Sequence, residues 1–187
     1  MLKSRLPVSY RVLERDWPQV YNEPFSDRIL VEALQRQRPW RGNRFETFVG
    51  NFRSFILEDY GKLVAHVPYI EDLLCLEYAG FIVRRELLDQ RSPREGLSAE
   101  SLAELKVEEL LGLSAWLPHY LRFEQFSYEV LAFKRYFHHN SDTLRVDPPE
   151  PLAVFGVCGM DCDLDPAWYF VDREIWEWLK TLPRSST

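Results

Sequence analysis

The sequence has little cysteine, little glycine and no long apolar run. Its 187 residues include 3 Cys and 8 Gly, against 12 Pro. An odd number of irregularly spaced cysteines does not make a disulfide framework, and scarce glycine argues against Gly-rich phosphate-binding loops. No apolar stretch approaches the roughly 20 residues of a membrane-spanning helix, and the N-terminal segment lacks the apolar core of a signal peptide. We therefore expect a soluble protein of a reducing compartment, most simply the bacterial cytoplasm, and no membrane partner.

Basic residues are also too few for a typical nucleic-acid-binding protein. Lys and Arg number 23 against 29 Asp and Glu, which gives a net charge of −6. Affinity for nucleic acids depends mainly on Lys and Arg that neutralise phosphates. Aromatic residues, in contrast, are abundant, with 12 Phe, 9 Tyr and 6 Trp. This excess predicts an aromatic core, an aromatic interface or both.

Hydrophobic spacing predicts that the first half, residues 1–97, is entirely helical. The first 24 residues show no clear period, and a helical pattern begins at Phe25 and ends at Pro39. The next helix has Asn43 and Glu46 in capping-box positions. Its stripe of phenylalanines, which continues to Val64, is typical of a hydrophobic core.

A further helix is predicted from Pro68 to about Leu88, because proline is tolerated at the first helical position. Residues 89–97, which include Ser92 and Pro93, have the composition of a linker. The chain then divides into a helical half, residues 1–97, and a second half, residues 98–187, unless both form one continuous domain.

The second half has the pattern of a small α+β unit. A helix carrying Leu102, Leu105, Leu110 and Leu111 begins after Ser98. Predicted strands are Leu121–Phe126, Leu152–Val157 and Ala167–Val171, and predicted helices are Tyr128–Phe137, capped by Ser127, and a last one capped by Asp172. The last two strands are joined by the acidic turn 160–165, so we expect them to pair as a hairpin. The expected fold class is α+β: an N-terminal helical half followed by a sheet of about three strands with flanking helices.

No self-contained active site is present in the sequence. Cys158 and Cys162 lie near Asp161 and Asp163, but a closed zinc site needs four N or S ligands, usually in two pairs, and no second pair has suitable spacing. The Asp-rich turn lacks the Gly and Glu of a calcium loop, and no G-x-S-x-G motif occurs. We expect no metal, no cofactor and no catalytic residue in this chain.

Peptide recognition is better supported by the pattern. A small sheet has an edge that can accept an extended peptide through main-chain hydrogen bonds. Strand alternation places Trp168 and Phe170 on one face and Tyr169 on the other. These aromatics form either a peptide-binding surface or a two-layer core with one amphipathic tyrosine. The candidate peptide-binding residues are Trp168, Tyr169, Phe170, Val171, Phe123 and Trp176.

Four segments, in this order, resemble a known family. They are NRFETFVGNFRSFILEDYGKL, VPYIEDLLCLEYA, LPHYLRFEQFSYEV and PLAVFGV, within residues 43–180. The order is similar to that of the small partner proteins encoded beside multinuclear-iron TIM-barrel enzymes, which modify ribosomally made peptides. Longer members carry an additional stretch between Val64 and Pro68, so the chain is most similar to the short members that serve methanobactin biosynthesis.

The resemblance implies a non-catalytic subunit of a heterodimer with an iron-dependent TIM-barrel enzyme. This subunit would bind the leader of a precursor peptide, while the iron partner uses oxygen to convert a cysteine to an oxazolone and a thioamide. Such leaders tend to be basic, which an acidic chain would attract. The fold implied is that of a leader-recognition module. Residues expected at the interface with the iron enzyme are Phe52, Phe55, Tyr69, Tyr78 and His119.

Three other interpretations remain open. The chain could serve a related thiaglutamate-type pathway. It could bind DNA, because strand–helix patterns of this kind resemble winged helices and longer relatives have been described as DNA binders. The locally basic residues that favour this are Arg36, Arg38, Arg41, Arg44 and Arg53. Finally, it could be a stand-alone thiol or metal enzyme.

Overall fold

The structure is a computed structural model that describes residues 3, 6–26, 29, 32, 44–88, 117–118, 120–139, 147–160 and 165–184. Its helices are α1 (Pro7–Tyr21), α2 (Arg44–Asp59), α3 (Gly61–His66), α4 (Ile70–Leu88), α5 (Val130–His139) and α6 (Arg173–Thr181), and its strands are β1 (Arg122–Tyr128), β2 (Pro151–Met160) and β3 (Pro166–Val171). The predicted α+β class, with a three-stranded sheet and flanking helices, is confirmed.

Helix α1 corrects the prediction that the first 24 residues have no periodic structure. It has Pro7 at its first position, where the missing N–H has no helical partner to lose. Val8, Val12 and Leu13 form its buried face. The N–H of Asn22, in the left-handed conformation, donates to the Pro18 carbonyl and closes the helix. The apolar spacing was therefore present, but the prolines and charged residues between those positions obscured it.

The phenylalanine-rich segment folds as two helices rather than the single one predicted. The chain leaves α2 at Tyr60, whose N–H still donates to the Ile56 carbonyl, and α3 begins at Gly61. The predicted core face is confirmed at Phe52, Phe55 and Ile56, which are buried. With two bends, here and at Val67, α2 packs against both α3 and α4.

Helix α4 lies between the other helices and the sheet. It packs against α1, α2 and α5 on the helical side and against all three strands. The described part of this helix reaches Leu88, and Pro68 lies in the turn that precedes Ile70 rather than at the first helical position.

The three strands form an antiparallel sheet in the order β1-β2-β3. Phe123, Val157 and Tyr169 lie side by side across it. The predicted pairing of the last two strands is confirmed, and β2 begins at Pro151, one residue before the predicted start at Leu152.

The first strand is longer than predicted. β1 continues through Ser127 and Tyr128, which were assigned to a helix cap and a helix. Their N–H groups donate to one carboxylate oxygen of Asp72 in α4, at 2.6 and 2.9 Å. Because this tertiary contact satisfies both N–H groups, Ser127 and Tyr128 extend β1, and α5 begins at Val130.

One apolar cluster joins the helices to the sheet. It includes Trp17 of α1, Phe52 of α2, Leu73 of α4 and Phe126 of β1, and Trp168 of β3 packs against it. The predicted linker 89–97, the predicted segment 98–111, Asn43 and most of the predicted helix 25–39 lie outside the described residues.

Candidate peptide-binding site

Within the part of the chain that the structure describes, β1 and β3 are the two edge strands of the sheet. Laterally paired residues point to the same side of a sheet. The register therefore places Trp168 with Cys158, and Phe170 with Gly156, on the side that packs on α4. Tyr169, paired with Val157, points to the opposite side, which α6 covers in part. The alternation predicted for β3 agrees with this register.

On the α4 side, Trp168 is half buried and packs on the core. Its ring lies 5.2 Å from that of Phe126, in an edge-on arrangement. Gly156 permits this approach, because a Cβ at this position would lie 2.9 Å from the Trp168 ring. Trp168 therefore anchors β3 to the molecule rather than presenting a free surface.

On the opposite side, Trp176 fixes α6 to the sheet. Its Nε1 donates to the Gly156 carbonyl at 3.2 Å, and its ring lies 5.3 Å from that of Phe155. The Lys180 ammonium lies 3.9 Å from the Trp176 ring centroid. The side chain of Trp176 is buried. Trp176 therefore positions α6, and its contact with a peptide stays a prediction.

Aromatic and aliphatic side chains remain exposed around β3 and α6. Tyr169 is 51% exposed and Phe170 39%, and on α6 Ile175 is 46% and Trp178 58% exposed. We call these four residues the β3–α6 surface. Phe170 is on the α4 side of the sheet and Tyr169 is on the side that α6 covers in part, so the set borders the β3 edge on both sides. Large exposed apolar side chains are typical of binding surfaces. The predicted residues Val171 and Phe123 are half buried beside it.

Sequence reasoning missed Ile175 and Trp178 as candidate contacts. Both lie on the last helix, together with Trp176. The structure turns Trp176 alone of these three toward the sheet. The available signal was the i, i+3 spacing of Ile175 and Trp178, which places them on one side of α6.

The β1 side of the sheet is covered by the C-terminal segment. Leu117 donates its N–H to the Pro183 carbonyl at 2.8 Å, and Leu117 and Arg184 form a parallel bridge. The Arg184 guanidinium lies 5.6 Å from the ring of Phe123 in β1. These contacts occupy the surface beside Phe123, so the β3 side is the more accessible part of this face.

Carboxylates stand at both ends of β3. Asp165 directly precedes the strand and forms an ion pair with Arg84 of α4. Asp172 directly follows it at the N-cap of α6, and its side chain makes no capping hydrogen bond. Both residues are exposed. Asp161 and Asp163, which belong to the predicted acidic turn, lie outside the described residues.

Three of the five residues predicted at a partner interface are buried within this chain. Phe52, Phe55 and Tyr69 are buried in this chain's own core, and Tyr78 is half buried against it. The Tyr69 hydroxyl accepts a hydrogen bond from Arg15 Nη2 at 2.8 Å, and burial raises the pKa of Tyr69. Phe52 and Phe55 lie on α2, which packs against α4, and the Tyr69 ring lies 5.1 Å from that of Phe133 in α5. His119 lies outside the described residues.

Two carboxylates of α4 are buried hydrogen-bond acceptors. Glu77 accepts the N–H groups of Val8 and Ser9, at 3.1 and 2.9 Å, at the start of α1. Asp72 accepts those at the end of β1. Burial raises the pKa of both carboxyl groups, although the N–H donors act in the opposite direction. They join α4 to its neighbours, and neither faces the β3–α6 surface.

The described thiols are poor nucleophiles. Burial raises the pKa of both Cys75 and Cys158 to about 12, so both are protonated at neutral pH. Among the described residues, no three His, Cys, Asp or Glu side chains are grouped as metal ligands, and Cys162 lies outside those residues. None of the described helices is both long and apolar enough to cross a membrane.

A scan against models of protein families finds no match to this chain, and a search of curated proteins finds no significant match.

Proposed function

We propose that this chain is the non-catalytic partner subunit of an iron-dependent TIM-barrel enzyme that modifies a cysteine in a ribosomally made precursor peptide, and that it binds the leader of that peptide. The observation that carries the proposal is the accessible edge strand β3, with exposed Tyr169 and Phe170, beside exposed Ile175 and Trp178 of α6. The segment order that resembles the methanobactin members of the partner-protein family supports this function. A thiaglutamate-type precursor would use the same surface.

The leader would bind as an additional strand along β3. Main-chain N–H and C=O groups on the outer side of an edge strand can pair with an extended peptide, and alternate side chains then give specificity. One set of leader side chains would contact Tyr169 and the other would contact Phe170, because these two residues point to opposite sides of the sheet. Ile175 and Trp178 would extend the apolar contact on the α6 side.

The thiols and the buried carboxylates of this chain support a non-catalytic role for it. Cys75 and Cys158 are held in their protonated form, and Asp72 and Glu77 are occupied by backbone N–H groups. None of these four is arranged to attack a substrate. The iron partner would supply the oxidative chemistry, and this chain would hold the peptide beside it.

Binding to the edge of β3 is tested by proline substitution. Tyr169→Pro and Phe170→Pro each remove one strand N–H. The variant whose N–H points outward should keep its circular dichroism spectrum, and its affinity for a synthetic leader should fall about tenfold. It loses one hydrogen bond to the peptide, and the proline also restricts the backbone of the residue before it. Tyr169→Phe keeps both the ring and the N–H, and it serves as the control. Unchanged leader affinity in both folded proline variants would place the peptide elsewhere.

Assembly with the iron enzyme is tested by co-expression with the product of the neighbouring gene. We expect a heterodimer by sedimentation, with iron in the complex and peptide oxidation only when both subunits are present. Stoichiometric iron or zinc on this chain alone would favour a stand-alone metal enzyme. A shift of duplex DNA by this chain, weakening as salt rises, would favour the DNA-binding interpretation instead.

A further inference from the structure

Both ends of β3 are flanked by aspartates, and this negative charge affects which strands can pair with the edge of β3. An accessible edge strand can pair with the identical strand of a second molecule, usually about a two-fold axis and hence antiparallel. In the fully overlapped antiparallel register, Pro166 lies opposite Val171 of the other copy. Asp165 then lies opposite Asp172 at both ends of the paired strands. Two like-charged pairs would therefore oppose the self-paired dimer.

The same two carboxylates would attract a different strand. A peptide that pairs with all of β3, in either direction, places one residue beside Asp165 and another beside Asp172. We propose that Asp165 and Asp172 select the occupant of the β3 edge: they disfavour a second copy of this chain, and they favour an extended peptide with a basic residue at each end of a six-residue stretch. This inference rests on the proposed function, and it specifies the charge pattern of the peptide.

Neighbouring charges decide how strong this selection is. The Arg84 guanidinium pairs with Asp165, and this ion pair is exposed on both sides, so it stabilises the fold little and offsets part of the local negative charge. At the other end, Arg173 and Glu174 follow Asp172 and have opposite charges. Removing Arg84 should therefore strengthen the selection, whereas removing Asp165 and Asp172 should abolish it. These opposite effects distinguish the aspartates from the general negative charge of the chain.

The peptide arm of the experiment uses three synthetic probes. Each has six alternating Thr and Val residues, the length of β3, with Lys, Gln or Glu at both ends. The lysine-ended probe should bind the wild type about two- to thirtyfold more tightly than the glutamine-ended probe, and the glutamate-ended probe should bind most weakly. The preference should be larger in Arg84→Gln and lost in Asp165→Asn/Asp172→Asn. Raising NaCl from about 50 to 300 mM should reduce it, because salt screens exposed charges.

The self-association arm measures the same proteins by sedimentation velocity. Asp165→Asn/Asp172→Asn should dimerise about two- to thirtyfold more tightly than the wild type. Over the same range of salt, self-association of the wild type should increase while binding of the lysine-ended probe decreases. Glu14→Gln/Glu58→Gln removes the same number of charges from exposed positions on α1 and α2 and is the matched control. Adding the proline substitution that removes the outward-pointing N–H, at Tyr169 or Phe170, to the aspartate variant should remove the dimer.

The outcomes separate this inference from the proposed function. The inference is overturned if the folded Asp165→Asn/Asp172→Asn variant remains as monomeric as the wild type. It is also overturned if the lysine-ended probe binds no better than the glutamine-ended probe. Binding of the natural leader to β3 in that case leaves the proposed function intact. If the natural leader does not bind but the lysine preference and the dimer of the variant are both observed, the inference holds and the proposed function fails.

Discussion

Glu77 shows how a single buried acid couples distant parts of this chain. Burial raises its pKa above the value of 4.5 typical of the unfolded state. For an acid, this means that the folded state binds the proton more tightly than the unfolded state. The free energy of unfolding contributed by Glu77 therefore falls as the pH rises from 4.5 through the folded pKa.

The test is the replacement Glu77→Gln. The difference in unfolding free energy between the wild type and this variant should shift in favour of the wild type as the pH is lowered from neutrality to 4.5. Urea denaturation at several pH values measures this difference, in which contributions from other acids cancel. Glu14→Gln, at an exposed position of α1, controls for the loss of one carboxylate. A difference that is constant with pH, or that shifts the other way, would contradict the assignment.

The cysteines provide a second prediction at the residue scale. Cys158 is fully buried against Ala79 and Val83. Cys158→Ser should destabilise the fold by about 1 kcal/mol or more, because it places a hydroxyl in an apolar site. In a Cys162→Ser background, Cys75 and Cys158 should react with iodoacetamide far more slowly in the folded chain than in urea.

Function should not depend on these thiols. If the proposed function is right, a folded variant without all three cysteines should bind the leader normally and support peptide oxidation by the iron enzyme, because the reacting cysteine would belong to the precursor peptide. Normal leader affinity combined with loss of turnover in Cys158→Ser would instead give this thiol a role in the chemistry.

At the scale of elements, β2 depends on a glycine because two rings meet above it. A Cβ at Gly156 would lie 2.9 Å from the Trp168 ring and 3.0 Å from that of Phe126. Both rings are held by the core, so Gly156→Ala should cost about 1–3 kcal/mol of stability. Gly61, at the start of α3, has no atom within 4 Å of the equivalent position, and Gly61→Ala should be neutral or stabilising.

Thermal or urea unfolding of both glycine variants measures this contrast. Because Trp168 anchors β3, the Gly156→Ala variant should also weaken leader binding under conditions where it remains folded. A Gly156→Ala protein as stable as the wild type would show that the rings can move aside.

At the scale of the whole molecule, α4 joins the helices to the sheet. It carries Asp72, which binds the end of β1, and Glu77, which binds the start of α1, and its apolar residues belong to the cluster that reaches Phe126. We therefore expect one cooperative unfolding transition rather than separate melting of two halves. Far-ultraviolet circular dichroism and tryptophan fluorescence should give the same midpoint in urea. Two midpoints would show that the helical half and the sheet are independent.

The sequence determined those features that depend on local patterns. The 3.6-residue spacing gave the helices after Asn43, and two-residue alternation with flanking Pro and Asp gave three strands and their hairpin. These patterns are local because each reports which side of one element is apolar. They were less informative where polar and proline residues interrupt the stripe, as in α1, or where a distant carboxylate sets an end, as Asp72 does for β1.

Only the tertiary structure decided which aromatic side chains are core and which are accessible. Phe52 and Phe170 both lie in periodic apolar patterns, yet Phe52 is buried in the core and Phe170 is exposed at an edge. Trp176 and Trp178 are two residues apart in one helix, yet one is hydrogen-bonded to the sheet and the other is exposed. The reason is physical: burial depends on what packs against a side chain, and that partner comes from elements far away in the sequence.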